Sequence, residues 1–417
     1  MKNNKTMIII LIVSLIFIVT IGIVVIVALP KNKNDEPMAV INNINNDKKD
    51  EEVVQTNVVK DDFIKDEITV QVAKGEIAKQ RSVYTDENNR KAVIPQGYSV
   101  VKDAETINNG LVISDVENDD MNNSLGGNQF VWVPVTTPIL DVSSKTTDSQ
   151  INNELQKQAD QGVYPMAIRK ADGNYEGVIY DFASVRENTV IKITPVTYGA
   201  EATKKEPSKI ATDSGETTYQ EDFNELIKRV RNDNGFWIAR YETSVDETGN
   251  AQSKKDKVAL TNKSWYELYN VEKTLSNENV KSNMIWGCQW DQIMIWLKDV
   301  ENNTYKTNHF LILDSTGKGN YSDLEIMGEG KEVIKKAGTS IRYRTAAQEI
   351  FKIKNIYDLA GNVFEWTMEA YYGSLRIVRG GYCAYDGATY PVSVSYWFPP
   401  NYNGEHLANI GSRMIIY

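Results

Sequence analysis

The sequence has very little cysteine and histidine, the side chains that most often build metal centres. Its 417 residues include two of each, Cys288, Cys383, His309 and His406. Two cysteines cannot make a disulfide-rich scaffold or a zinc site of four thiolates, and two histidines leave little for a histidine-built metal centre. An excess of positive charge is also absent. The net charge of −10 argues against nucleic acid as a partner, because that binding needs Lys and Arg to neutralise phosphates.

Apolar and aromatic residues are present in the amounts that a folded protein needs. Hydrophobic residues make up 41% of the chain and aromatic residues 10%, so the chain as a whole can build a sizeable core. At roughly 100–200 residues per domain, the length allows two or three units, or one large domain with extensions. All eight tryptophans lie between positions 132 and 397, which marks the folded body.

The N-terminal residues 1–30 are predicted to be a transmembrane anchor. Residues 7–29 contain no charged side chain, and at ~1.5 Å per residue they are long enough to cross a ~30 Å hydrocarbon core. A cleaved signal peptide and a buried core helix are the alternatives. Lys2 and Lys5 precede the span, so the positive-inside rule places the N-terminus in the cytoplasm and the rest of the chain outside.

A polar, disordered stalk is predicted over residues 31–75, followed by a folded domain over residues 92–417. Residues 31–66 mix both signs of charge with asparagine and contain few aromatics, so they cannot bury enough apolar surface to offset chain entropy. Residues 68–72 alternate as a strand does, but alone they are too short to form a domain. The folded domain is predicted to begin near Ala92.

Within the folded body, hydrophobic periodicity predicts both strands and helices. Strands are predicted at residues 111–113, 130–135 and 236–242. Helices are predicted at residues 149–160, 222–231, 264–270 and 289–298. Residues 299–340 are predicted to be irregular, and the C-terminal segment to consist of short strands and turns.

Several of these stretches, in this order, resemble one family. Residues 356–367 (IYDLAGNVFEWT) are similar to the signature of the formylglycine-generating enzyme, or sulfatase-modifying factor, family. Further similarities are found at Arg379-Gly380-Gly381, Gly411-Ser412-Arg413, residues 236–243 (FWIARYET), Ser264-Trp265, Gln289-Trp290-Asp291 and residues 130–134. The resemblance implies an α+β fold, a modified C-type-lectin-like domain with much irregular backbone.

The same signature suggests a calcium site. Gly361-Asn362 suits a turn with positive φ, and Glu365 beside turn carbonyls offers the oxygen ligands that Ca²⁺ prefers. The family is similar in holding Ca²⁺ at this loop, which makes Gly361, Val363 and Glu365 the candidate ligands. The alternative is that Glu365 accepts hydrogen bonds from backbone amides and supports a buried turn.

The sequence departs from the enzymatic members of the family where their chemistry occurs. Those members carry two cysteines shortly after the Gly-Gly pair, a soft site suited to Cu(I). By spacing, Tyr385 and Tyr390 stand at those positions, and phenols bind Cu(I) poorly. Cys383 and Cys288 are therefore only weak catalytic candidates. They are predicted to be two independent, partly buried thiols, with a disulfide or a copper pair as alternatives.

An iron site of two histidines and one carboxylate would need both His309 and His406. His309 is interpreted as a residue at a loop-to-strand boundary, and His406 as an exposed residue in a polar loop.

The C-terminal segment Gly411-Ser412-Arg413 also departs from the family pattern, because Ser412 stands where the family usually has Phe. Weaker local packing is therefore expected at this segment.

The C-terminal segment is rich in aromatic residues, which give rigid contact area together with polar tips. It resembles the ligand-binding segment of diversity-generating retroelement variable proteins, which lies between the Arg-Gly-Gly and Gly-x-Arg landmarks. The candidate ligand-binding residues are Tyr382, Tyr385, Asp386, Tyr390, Tyr402, Asn403 and His406. Tyr385, Tyr390, Tyr402 and His406 are expected at the surface. Tyr396 and Trp397 are expected in the core.

These observations favour a non-catalytic binding protein that is anchored in a cell membrane with its folded domain outside. The amino-acid composition is typical of a bacterial surface protein from an AT-rich genome. The expected ligand is an extracellular glycan, peptide or protein. The first alternative is a copper- or iron-dependent oxidase of the formylglycine-generating type that acts on a protein cysteine. The second is a subunit of a surface assembly in which the domain serves as a spacer.

Overall fold

The computed structural model describes part of the chain. The predicted anchor, residues 31–66 of the predicted stalk, the predicted helix at 149–160 and His309 lie outside that part. The described residues are 67–135, 140–141, 167–171, 174–181, 192–197, 219–297, 314–328, 330, 332–371 and 375–417. Within them, no helix combines the length and apolar character that a bilayer span requires. They form a mixed α+β structure with many short strands and few helices.

The strands are short throughout. The first half of the chain contributes β1 (Ser82–Thr85), β2 (Lys91–Ile94), β3 (Ser99–Val100), β4 (Val112–Ser114), β5 (Gln129–Pro134), β6 (Leu140–Asp141), β7 (Ala167–Ala171), β8 (Asn174–Asp181), β9 (Lys192–Thr197), β10 (Gly235–Ala239), β11 (Ser244–Val245) and β12 (Ala251–Gln252). The second half contributes β13 (Ser282–Met284), β14 (Ile326–Met327), β15 (Val333–Lys335), β16 (Lys352–Ile353), β17 (Ile356–Tyr357), β18 (Phe364–Tyr371), β19 (Leu375–Arg379), β20 (Ser395–Phe398), β21 (Ile410–Ser412) and β22 (Met414–Ile416).

The α-helices are α1 (Ile107–Gly110), α2 (Tyr219–Asp233), α3 (Trp265–Glu272) and α4 (Gly287–Leu297). Helices α2, α3 and α4 confirm three of the predicted helices. Short 3₁₀ helices lie at Lys273–Leu275, Glu349–Phe351 and Glu405–Asn409. The segment predicted to be irregular contains one hairpin in its described part, formed by β14 and β15.

A six-stranded sheet in the order β13-β22-β10-β5-β4-β3 carries the main core. β5 is buried along its whole length, which explains its continuous apolar and aromatic sequence. β10 pairs with β5, and this register places Trp237 opposite Trp132, with ring centroids 4.9 Å apart. The C-terminal strand β22 lies between β13 and β10, so the last residues of the chain are central to the sheet.

A four-stranded sheet in the order β20-β19-β18-β21 carries the signature residues. β18 pairs parallel with β21, whereas β18 with β19 and β19 with β20 pair antiparallel. A second four-stranded sheet, β6-β7-β8-β9, is formed by the middle of the chain, and the remaining strands form two-stranded hairpins. Among the described strands, β20 and β21 are therefore the two outer strands of the sheet that carries the signature.

The folded unit begins earlier than the predicted residue 92. The compact unit runs from Ile64 to Tyr417. Val72 and Ala78 are buried in the main core, and β1 pairs with β2 in a hairpin. The predicted start was too late, because isolated bridges and a short hairpin hold this segment in place, and neither produces a long periodic pattern. The predicted stalk end at residue 75 was likewise too late.

Helix α3 begins with a capping box that the sequence already suggests. The Ser264 hydroxyl accepts a hydrogen bond from the Glu267 backbone N–H, and the Glu267 side chain accepts one from the Ser264 N–H at 2.8 Å. Two of the otherwise unpaired amide groups at the helix start are satisfied in this way.

Replacing Ser264 by Ala should lower the free energy of unfolding by about 1 kcal/mol, because the cap is lost while the buried face of α3 is unchanged. Chemical denaturation of the purified protein measures this change. Lys263→Ala is the matched control: it removes only an exposed ion pair to Glu267, so its effect should stay below about 0.5 kcal/mol. Equal effects of the two variants would contradict the role of the cap.

Candidate functional site

The signature turn has the backbone conformation that its sequence predicts. Gly361 has φ of 75° and Asn362 has φ of 60°. A Cβ atom on Gly361 would lie 2.6 Å from the carbonyl oxygen of Asn320, so only glycine fits there. The Asn362 side chain donates to Glu242 Oε2 at 2.6 Å, and the Val363 N–H donates to Glu242 Oε1 at 3.3 Å. Glu242 therefore stabilises the signature turn through these two hydrogen bonds.

Glu365 forms a buried ion pair with Arg413. Arg413 Nη2 donates to Glu365 Oε1 at 2.6 Å, and Arg413 Nε donates to Glu365 Oε2 at 2.9 Å. Both side chains are fully buried. The same guanidinium donates to the carbonyl oxygens of Ala239 at 3.1 Å and Tyr357 at 3.0 Å. Glu365 thus supports the fold through Arg413 rather than through backbone amides.

This arrangement bears on the calcium prediction for Gly361, Val363 and Glu365. Both carboxylate oxygens of Glu365 accept from a guanidinium, and that positive charge opposes a divalent cation at the same oxygens. Within the residues that the structure describes, no group of three or more His, Cys, Asp or Glu side chains is placed to hold a metal ion. The geometry thus suits a structural role for Glu365, and the calcium site stays a prediction.

Three further carboxyl groups are buried around the signature turn, and burial raises the pKa of each. The pKa of Glu272 is raised to about 8 and that of Asp358 to about 7, in both cases mainly by desolvation. The pKa of Glu242 lies well above its usual range through burial and through the neighbouring charges of Asp358 and Glu365. Together with the ion pair, these groups form a polar interior in which protonation and folding are linked.

The two cysteines are both buried and do not form a disulfide with each other. The predicted thiols are therefore unbridged, but they are more deeply buried than the partial burial that the sequence suggested. The backbone N–H of Cys383 donates to the carbonyl oxygen of Asn362 at 3.2 Å, which places this cysteine directly behind the signature turn. Burial raises the pKa of the Cys383 thiol to about 11, so the reactive thiolate is scarce at neutral pH.

The C-terminal segment forms a continuous cluster of rings that we call the aromatic face. It consists of Tyr382, Tyr385, Tyr390, Tyr396, Trp397, Phe398, Tyr402 and His406. Tyr385 and Tyr390 stack with ring centroids 4.1 Å apart. Tyr396 and Trp397 have nearly parallel rings with centroids 6.1 Å apart. Pairs of this kind add stability beyond the area that they bury, so the face is a rigid surface.

The aromatic face rests on the signature sheet. Phe364 of β18 lies beneath it, 4.9 Å from the ring centroid of Tyr382, and Phe398 packs edge-on against Trp366. Tyr382 is itself buried, and its hydroxyl lies 3.3 Å from His406 Nδ1. Tyr382 thus supports the face from below instead of standing at its surface.

The other predicted ligand-binding residues lie at or near the surface. Tyr385, Tyr390, Tyr402 and His406 are half-buried, and Asn403 is exposed. His406 is therefore less exposed than the sequence suggested, because it lies in a 3₁₀ helix against Tyr382. Asp386 is half-buried. Its Oδ1 accepts from the Thr389 N–H at 2.6 Å. Desolvation is the largest single effect and raises the pKa of Asp386, but the hydrogen bonds, chiefly those from Thr389, together outweigh it and hold the pKa below the usual range.

The prediction that Tyr396 and Trp397 belong to the core was wrong. Their side chains are 41% and 47% exposed. β20 is an outer strand among the described strands, so its side chains have a neighbouring described strand on one flank only. The only sequence signal for this was Pro399-Pro400, which cannot continue a strand ladder and suits a sheet edge.

The described residues thus define an α+β protein whose candidate site is an aromatic surface. Comparison of the sequence with known protein families gives no match, and comparison with curated proteins gives none either. Among solved structures, the chain is similar to CarF, with 14% identity, a TM-score of 0.28, and coverage of 44% of this chain and 86% of that one. It is also similar to Treponema denticola variable protein 1, with 13% identity, a TM-score of 0.23, and coverage of 60% and 97%. Neither similarity establishes a shared fold.

The raised pKa of Glu272 predicts how stability depends on pH. Folding raises this pKa from 4.5 to about 8, so the folded state binds the proton more tightly. The stability from this group is fully present below the unfolded pKa and is lost as the pH rises through the folded pKa. The free energy of unfolding should therefore fall by up to about 1.4 kcal/mol per pH unit for this one proton as the pH rises through this interval.

Glu272→Gln should have a shallower dependence on pH, because the amide does not ionise and keeps an oxygen for the Thr243 hydroxyl, which donates to Glu272 at 2.8 Å. Denaturant titrations across this pH range measure the slopes. Glu247→Gln, at an exposed turn residue, is the control and should keep the slope of the unchanged protein. Identical slopes in all three proteins would show that Glu272 is not the linked group.

Proposed function

We propose that this chain is a membrane-anchored, outward-facing protein that binds a ligand without catalysing a reaction. In this proposal, its folded unit is a domain like that of the formylglycine-generating enzyme family, and residues 1–30 are the anchor. The observation that carries the proposal is the aromatic face, which presents the exposed rings of Tyr396 and Trp397 beside three half-buried tyrosines.

The chemistry of this face suits ligand binding. Tyr and Trp rings lose little conformational entropy on contact, and their polar tips donate and accept hydrogen bonds. Contiguous apolar patches on the surface of soluble proteins often mark interaction sites. The expected ligand is an extracellular glycan, peptide or protein segment, because each of these presents apolar surface together with polar groups.

The state of the cysteines argues against the oxidase alternative. Tyr385 and Tyr390 occupy the positions of the family's copper-binding cysteines by spacing, and here their rings stack on each other. Cys383 is buried and its pKa is raised to about 11, so the thiolate that copper needs as a ligand is disfavoured. Copper-dependent oxygen uptake that is lost in Cys383→Ser would overturn the proposal in favour of the oxidase.

Screening the protein against glycan and peptide arrays should give ligands that depend on the aromatic face. Trp397→Ala and Tyr385→Ala should each weaken binding at least tenfold, because aromatic anchors at the centre of an interface typically contribute about 2 kcal/mol or more. Leu125→Ala is the control: Leu125 is 55% exposed but is not part of the face, so affinity should not change. Hits that bind all four proteins equally would contradict the proposed site.

The anchor has its own test. Full-length protein expressed in bacteria should remain in the membrane fraction after alkaline extraction, because an uncharged span of this length inserts into the bilayer. Removing residues 1–30 should release the protein from that fraction. A protease added outside intact cells should degrade the folded unit. Protection from the protease would contradict the proposed orientation, and release of the full-length protein on extraction would contradict the anchor.

A further inference from the structure

Two surface segments of the folded unit run beside each other and carry a concentration of positive charge. The Asp256 N–H donates to the carbonyl oxygen of Thr345 at 3.0 Å, and the Thr345 N–H donates to that of Lys257 at 2.8 Å. Further along, Arg342 Nη1 donates to Thr261 Oγ1 at 2.6 Å. The two segments are therefore neighbours along their length. We call their outer surface the basic strip, which consists of Lys254, Lys255, Asp256, Lys257, Val258, Ile341, Arg342, Tyr343 and Arg344.

The basic strip is strongly positive in a chain that is acidic overall. Five of its nine residues are Lys or Arg and one is Asp, whereas the whole chain has a net charge of −10. Among the residues that the structure describes, none of the five basic side chains forms an ion pair with a carboxylate. Lys255 interacts electrostatically with Glu349, but that carboxylate pairs with Lys352 at 2.8 Å. The positive charge of the basic strip is therefore largely uncompensated by described side chains.

The two arginines of the basic strip are held in place by hydrogen bonds that use only part of each guanidinium. Arg342 Nη1 donates to Thr261 and to the carbonyl oxygen of Ala408, and Arg344 Nη1 donates to the carbonyl oxygen of Asp256 at 3.0 Å. Within the described part of the chain, Nη1 is the only atom of either guanidinium that donates. Both side chains are exposed. Since a guanidinium has five N–H donors in a fixed fork, Nε and Nη2 are open to the oxygens of a phosphate group.

Exposed apolar side chains lie among these charges. Val258 is 59% exposed and follows Lys257 directly, and Ile341 is 41% exposed and precedes Arg342. Basic and apolar side chains next to each other are typical of surfaces that lie in the interface of a bilayer. There the cations meet anionic headgroups, and the apolar groups enter the boundary with the acyl chains. A soluble polyanion would use the charges alone, so the exposed Val and Ile favour a bilayer as the partner.

We propose that the basic strip rests on a bilayer that contains anionic phospholipids, with its cations on the headgroup phosphates and Val258 and Ile341 at the headgroup boundary. The basic strip shares no residue with the aromatic face, and this inference rests only on the anchor of the proposed function. The apolar area of one Val and one Ile is small, so the contact is weak by itself. The anchor keeps the basic strip close to the bilayer, and this high effective concentration lets a weak contact form. The contact fixes one orientation of the folded unit on the membrane.

The test is chemical footprinting of lysines in the full-length chain in lipid nanodiscs. One set of discs contains phosphatidylcholine alone, and the other contains phosphatidylcholine mixed with phosphatidylglycerol. Acetylation of Lys254, Lys255 and Lys257 by a neutral reagent, measured by mass spectrometry, should be at least about threefold slower in the anionic discs at low salt. Most of this protection should be lost at ~1 M salt, where the Debye length is ~3 Å. Lys281 and Lys318, which are exposed and lie outside the basic strip, are the internal controls and should react equally in both discs.

Variants then identify the side chains that make the contact. Arg344→Gln should weaken the contact about fivefold, because each basic side chain near an anionic surface contributes by about that factor. Val258→Ser should also reduce the protection of the lysines, because the apolar contact is lost. Lys336→Gln removes an exposed charge outside the basic strip and should leave the protection unchanged, and thermal melts establish that each variant is folded. Full protection in both Arg344→Gln and Val258→Ser would overturn the inference.

Other results separate this inference from the proposed function. Equal acetylation of the basic strip in both kinds of disc overturns the inference and leaves the proposed function standing. If soluble polyphosphate protects the basic strip in neutral discs and Val258→Ser has no effect, the partner is a polyanion, and the bilayer is overturned as the partner. If the chain does not enter the discs, the anchor fails. Flotation of the same chain with added vesicles of the two compositions then decides the inference: flotation with the anionic vesicles alone supports it, and any other result overturns it.

Discussion

The ion pair between Arg413 and Glu365 is the interaction on which the arrangement of the signature sheet depends. Arg413 lies between β21 and β22, and it reaches Glu365 on β18, the carbonyl oxygen of Ala239 on β10, and that of Tyr357 on β17. One guanidinium thus connects β10, β17 and β18 to the C-terminal strands. Breaking such a pair by removing one partner typically costs about 3–5 kcal/mol, because the other charge is left buried.

The buried polar residues around the signature turn also support the fold. Glu242 and Asn362 hold the turn that places Glu365 on β18, and Asp358 accepts from the Ala346 N–H at 2.8 Å. A buried charge or amide is stable only when it is hydrogen-bonded. The buried polar groups therefore largely serve to support the backbone.

The aromatic face follows from the same sheet. Once β18 and β19 are fixed by the buried polar residues, β20 pairs at the outer side and carries Tyr396 and Trp397 to the surface. The loop after Gly381 then packs its tyrosines over Phe364 of β18. The rings of this face contact one another and the sheet below them, so the face is held in place on both sides.

The sequence by itself determined the features that depend on neighbours in the chain. The helices at Trp265–Glu272 and Gly287–Leu297, the strands at Gln129–Pro134 and Gly235–Ala239, and the positive φ of Gly361 and Asn362 follow from local periodicity, capping and turn chemistry. Only the tertiary structure decided the partner of Glu365, the burial of Cys383 and Tyr382, and the exposure of Tyr396 and Trp397. An ion pair between residues that are 48 positions apart, and the place of a strand at the edge of a sheet, are set by long-range pairing. The sequence of one segment does not indicate which strand pairs with it.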